Sequence, residues 1–170
     1  MPAGSTYTPI ATTTLGSAGT ITFSSIPSTY TDLVIVLNGN GSRVAGTDDT
    51  GLRLNSDSGS NYSETLLQGN GTTASSSRAS GVNVMFQNTN FRIGGTTGAR
   101  STIIYQFMNY ANTTTYKTVI ARSNVSDFNV TATVGLWRST AAINTIYLYN
   151  YTSANFTAGT TATLYGIASA

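Results

Sequence analysis

Hydrophobic and polar positions alternate along most of this chain with a period of two. In "FNVTATVGLW" Phe128, Val130, Ala132, Val134 and Leu136 fall on one side and Asn129, Thr131 and Thr133 on the other. That is the pattern of a strand buried on one face, with the apolar side expected inward. "TITF", "GLRLN" and "TATLYG" follow the same rule with Ile21 and Phe23, Leu52 and Leu54, and Ala162 and Leu164. By contrast "DLVIVLN" is apolar from Leu33 to Leu37 and "STIIYQFMN" nearly so, which predicts central strands covered on both faces. Clusters of Gly, Asn, Ser and Thr ("GSAG", "NGNG", "SDSGSN", "GNG", "NTN", "NYANTTT", "SANFTAG") separate these runs at short intervals and supply turn conformations. No window carries a 3.6-residue stripe. Roughly nine to eleven short strands are therefore expected, in an all-β antiparallel β-sandwich, a jelly roll before any other sandwich topology.

Two stretches read as something other than strand. Gly69 to Gly81, "GNGTTASSSRASG", is poor in apolar residues and is expected to be a long exposed loop. Residues 1–9 read as an N-terminal arm and residues 10–170 as a single sandwich domain, since 170 residues suit one core.

Charge is sparse: Lys and Arg total 8, Asp and Glu 6, so Thr, Ser, Asn and Gly must cover most of the surface. A net charge of +2 implies no strong field toward nucleic acid or membrane, despite a pI near 9.0. The chain has no cysteine and no histidine. The opening "MPAGSTYTPIATTT" has neither the basic region nor the apolar run of a secretory signal, so the expected place of synthesis is a cytoplasm.

These absences narrow the chemistry. Without His or Cys the common nucleophile–base pairs are excluded, and Lys117, the single lysine, has no local partner arrangement that marks it as a base. Asp32, Asp48, Asp49, Asp57, Glu64 and Asp127 are the acids a glycosidase pair could draw on, but all except Glu64 fall in or beside predicted turns, where Asp serves local hydrogen bonding. "NSDSGSNYSE" offers Asn55, Asp57, Asn61 and Glu64 as oxygen ligands, yet Gly59 and Glu64 come too early for the helix-flanked calcium loop. Gly39 and Gly41 after a strand suggest a dinucleotide fingerprint, which Val44 breaks. The reading is of a non-enzymatic protein without a cofactor or metal.

Ten tyrosines and a basic complement that is seven-eighths arginine point instead to contact surfaces. In "INTIYLYNYTS" Ile146 and Leu148 share one strand face, so Tyr147, Tyr149 and Tyr151 share the other and should meet a second subunit or a ligand. Tyr7, Trp137, Arg138, Tyr147, Tyr149 and Tyr151 are the expected interface residues. Two readings follow: a symmetric oligomer, a trimer first, that docks on a larger assembly, or a carbohydrate-binding module whose tyrosines stack on sugar rings.

The phrases "TTTLGSAGTITFSSIPSTYTDLVIVLNG", "LRLNSDSGSNYSETLLQGNG", "FMNYANTTTYKTVIAR" and "AAINTIYLYNYTSANFTAGTTATLYGIASA" resemble, in the same order, small β proteins encoded by tailed bacteriophages, particularly those of cyanobacteria and other aquatic bacteria. The resemblance implies a virion structural protein: a head decoration or cement protein of jelly-roll type, or a fibre component. It supplies no catalytic residues. With no long helical or fibrous stalk in the sequence, the cement role is expected before the receptor- or glycan-binding tail-fibre role. The expected partners are further copies of the chain, as a homotrimer, and the major capsid protein, with neither nucleic acid nor membrane, and the expected place is the outer surface of the virion head.

Overall fold

The structure, a computed structural model, describes residues 6–44, 46–86, 91–97, 99–151 and 155–168. Among these residues are twelve strands: β1 (Tyr7–Thr14), β2 (Ile21–Phe23), β3 (Asp32–Gly39), β4 (Thr47–Leu54), β5 (Tyr62–Gly69), β6 (Ala74–Val82), β7 (Arg92–Gly94), β8 (Ser101–Met108), β9 (Lys117–Val125), β10 (Asn129–Trp137), β11 (Ile146–Asn150) and β12 (Thr161–Ile167). They form an eight-stranded sheet, β1-β12-β3-β8-β9-β10-β5-β6, and a four-stranded sheet, β2-β11-β4-β7, with every pairing antiparallel.

The pairings β1 with β12, β2 with β11, β3 with β8 and β4 with β7 describe one long antiparallel ribbon folded over on itself. Successive members alternate between the sheets, giving β1-β12-β3-β8 against β2-β11-β4-β7. This is a jelly roll. Two hairpins are inserted into it: β5–β6 between β4 and β7, and β9–β10 between β8 and β11. β9 pairs with β8 and β10 with β5, so the hairpins join edge to edge and extend one sheet from four strands to eight.

The core lies between the sheets. Leu33, Ile35 and Leu37 of β3 and Ile103, Tyr105 and Phe107 of β8 face Ile21, Leu52, Leu54, Ile93, Ile146 and Leu148 of the small sheet, all at most 1 % exposed. Each such side chain contributes roughly 1.5–3 kcal/mol on burial. The other faces of β3 and β8 are less covered than the continuous apolar runs predict: Val36 and Ile104 are half-buried and Met108 is exposed.

Three further expectations are corrected. Gly69–Gly81 is not a loop: Asn70–Thr73 make a tight turn, with the Asn70 N–H donating to the Thr73 carbonyl at 3.2 Å, and the serine-rich run becomes β6. A strand at the sheet edge needs only backbone pairing with β5, not an apolar face. Of the expected arm, Tyr7, Thr8 and Pro9 begin β1 opposite Ile167, Gly166 and Tyr165, while residues 1–5, like the expected turn at 88–90, lie outside the described residues.

The third correction concerns β10, whose orientation is opposite to its sequence pattern. Asn129, Thr131 and Thr133 point inward, and Val130, Ala132 and Val134 point outward. Four strands cannot roof eight, and the inner side of the extension is covered by the segment after β6 instead. Its Phe86 N–H donates to the buried Glu64 carboxylate. Gly135 admits Met85, whose Sδ would lie 2.2 Å from a Cβ at that position. The inward polar residues are hydrogen-bonded within the extension, Thr133 donating to the Thr65 carbonyl at 2.9 Å and Asn129 to Thr131 Oγ1 at 3.2 Å, as buried polar groups must be.

Candidate functional site

The outer face of the extension is an unusual surface. Leu67 and Val130 are 60 % and 62 % exposed, and Met108, Ile120 and Val134 between 42 % and 46 %. Cross-strand register opposes Val134 directly to Ile120, while Leu67 opposes Ala132, Val130 opposes Gly69 and Met108 opposes Thr118. Charges on this face are few. Arg122 opposes Ala132, Arg78 opposes Thr65, and Asp32, at the end of β3, accepts the Asn109 N–H at 2.6 Å. Thr65, Gln106, Thr118, Arg122 and Asn124 share this outward face, so it is a mixed surface of exposed aliphatic and polar side chains, a composition compatible with protein contact.

The tyrosine row lies elsewhere, on the outer face of the small sheet. Ile146 and Leu148 are fully buried, as expected, and Tyr147 and Tyr149 are half-buried opposite them. Their rings stack at 5.0 Å and 20°, and the Arg53 guanidinium lies 5.6 Å from the Tyr149 centroid. Gly51, opposite Tyr149, has no side chain to hold the ring away: a Cβ there would be 3.0 Å from it. Burial pushes the Tyr149 hydroxyl pKa up, with Arg53 opposing. Much of this row is thus occupied within the chain, and Tyr151 is its most open member at 47 %.

The remaining expected contact residues separate. Tyr7 is 56 % exposed and meets Tyr165 edge-on at 6.2 Å. Trp137 is corrected: at 2 % exposure it belongs to the core, because its place on β10 shares the inward parity of Thr133, and its indole Nε1 donates to Asp57 Oδ2 at 2.6 Å. Arg138 is half-buried and joins the extension's strands, donating to the Tyr62 carbonyl and to the Ser63 and Ser80 hydroxyls.

The acids are largely engaged in structure. Asp57 also accepts the Gly59 N–H at 2.8 Å and the Asn61 amide at 2.9 Å; burial raises its pKa, but these bonds outweigh it and hold the carboxyl below 3.8. The segment between β4 and β5, which offered oxygen ligands in calcium-loop fashion, is thus a connection from one sheet to the other, closed on its own carboxylate. Asp48 accepts the Arg43 N–H at 3.1 Å and fills the space a Cβ at Gly41 would need, while Thr160 fills that at Gly39. The paired glycines are explained by packing. Asp49 pairs with Arg92 at 3.3 Å. Lys117 is 1 % exposed and donates to the Thr115 and Thr140 carbonyls at 2.8 and 3.1 Å; burial lowers its pKa.

Sequence reasoning missed the exposed sheet face, because it assigned the apolar side of β10 to the core. The available signal was the Asn70-Gly71 turn, which marks β5–β6 as a hairpin. Comparison with family models, with curated proteins and with solved structures gives no match.

Proposed function

We propose that this protein is a non-enzymatic decoration protein that binds the outside of an icosahedral phage head and stabilises contacts between shell subunits. The observation that carries the reading is the outer face exposing Leu67, Ile120, Val130 and Val134, built by two hairpins that the jelly roll itself does not require. A face that exposes these aliphatic side chains among polar ones, with Arg122 between Ala132 and Ile104, suits contact with another protein. The jelly-roll frame and the resemblance to phage β proteins agree with it.

In this reading the extension docks on the shell, and copies meet around three-fold positions through the half-exposed tyrosine face. Binding only the assembled shell stabilises it by mass action, with no chemical step. The test is the copy number of this protein relative to the major shell protein in purified virions, by quantitative mass spectrometry. Abundance of the same order as the shell protein supports the role. A few copies per particle overturns it in favour of a tail-fibre or tail-tip domain.

A further inference from the structure

The two inserted hairpins create a second feature, unrelated to the apolar face. Because Val130 pairs with Gly69, the β5–β6 turn and the β9–β10 turn lie side by side at one end of the molecule. Arg92 of β7 reaches toward them from the other sheet. Between them is a hollow of about 440 Å³ lined by Gln68, Asn70, Arg92, Asp127, Phe128 and Asn129. That volume lies within the roughly 300–1,000 Å³ of small-molecule sites.

The lining is held in place from behind. Asn129, 7 % exposed, donates its amide to Thr131 Oγ1 at 3.2 Å and to Gln68 Oε1 at 3.4 Å, and Gln68 donates in turn to Ser75 at 3.0 Å. Asn70 uses its oxygen to accept the Thr72 and Thr73 N–H groups, leaving its NH₂ for a ligand. Asp127 is exposed and makes no hydrogen bond or ion pair among the described residues. Phe128, at a hairpin tip where Asn, Gly or Ser would suffice, is 46 % exposed, takes no part in the core, and has the Arg92 guanidinium 5.0 Å from its centroid.

We propose that this hollow binds a neutral glycan. The Asn70 amide donor and the Asp127 carboxylate acceptor beside an exposed aromatic ring match a sugar, whose hydroxyls both donate and accept and whose C–H face packs on an aromatic. The local charge argues against an anion: Asp49 already neutralises Arg92, and Arg92 is further committed to Thr47 Oγ1 at 3.2 Å, so Asp127 leaves the site with surplus negative charge. The site uses none of the tyrosines of β11 and does not depend on the decoration role.

Saturation-transfer NMR on the full chain tests this, with maltose, cellobiose, lactose, mannobiose and chitobiose as neutral probes and sialyllactose as the acidic one; the method detects millimolar binding. At least one neutral disaccharide is expected to show transfer, weakened about tenfold in affinity, or by about 1.4 kcal/mol, in Phe128→Ala and reduced in Asp127→Asn, with Tyr149→Ala near wild type. Both site variants replace exposed residues, and an unchanged amide spectrum confirms their folding. Transfer to none of the neutral probes, transfer only to sialyllactose, or loss in Tyr149→Ala but not in Phe128→Ala each overturns the proposal.

Discussion

Trp137 and Asp57 show how one side chain can reverse the role its type suggests. A lone tryptophan beside an arginine reads as a contact residue, yet here the indole is buried and its N–H is directed to a carboxylate at 2.6 Å. Removing that carboxylate leaves the indole donor, the Gly59 N–H and the Asn61 amide without their partner. Asp57→Ala is therefore expected to cost about 1–3 kcal/mol in urea unfolding followed by Trp137 fluorescence. The folded-state pKa of Asp57 is depressed, so its contribution is complete above 3.8 and is lost as pH falls through the folded value. Lys117 and Tyr62 act at the other end of the scale. Burial lowers the lysine pKa from 10.5, so between the folded value and 10.5 the unfolded chain binds more protons and stability rises with pH. Burial pushes the Tyr62 hydroxyl from 10.0 up to about 12, so the folded chain keeps that proton longer and stability falls above 10. Chemical denaturation across pH 7 to 12 is expected to show a rise followed by a decline, and Lys117→Met to remove the rise alone.

At the scale of elements, alternation located strands well and oriented one of them wrongly. "TITF", "GLRLN" and "TATLYG" bury the residues their pattern assigns to the core, because each lies where the two sheets overlap. "FNVTATVGLW" has an equally clean pattern, but β10 lies beyond the span of β2-β11-β4-β7 and its inner neighbour is the irregular segment around Met85 and Phe86. Periodicity reports that two faces differ; it does not report which face a partner will cover. Phe86 adopts φ of 73°, a conformation costly for a bulky side chain, and is held there by the bond to Glu64 and by Phe91 and Tyr105 at 4.8 and 5.9 Å. Adding a methyl group at Gly135→Ala should push this segment away from β10 and destabilise the protein by about 1–3 kcal/mol, read as a shift in the denaturation midpoint. An unchanged midpoint would mean that Met85 does not pack against β10 in this way.

For the whole molecule, the jelly-roll frame was legible because its turns are short and rich in Gly and Asn, whereas the eight-stranded width was not. Width depends on β10 meeting β5, a pairing between segments more than sixty residues apart with no local sequence mark. Of the candidate face, the strands were legible in the sequence, and the side they expose was not. Tyrosine and arginine content signalled contact surfaces, but the most open apolar area belongs to Leu67, Ile120, Val130 and Val134, which the sequence pattern assigned to interiors or left unremarked. Replacing exposed valine or isoleucine by aspartate on this face should leave the fold intact at a cost of about 1 kcal/mol per site, since neither side chain belongs to the core, while introducing a charge that a docked shell would have to desolvate.

The most direct measurement is therefore sedimentation of wild-type protein and of the folded double variant Ile120→Asp, Val130→Asp with phage heads stripped of this protein. The account predicts that wild type rebinds and raises the temperature at which the heads open, and that the double variant remains in the supernatant although it still melts cooperatively well above the temperature of the binding assay. Rebinding by the double variant at wild-type level would contradict the account, because the face on which it rests would then not be the one that docks.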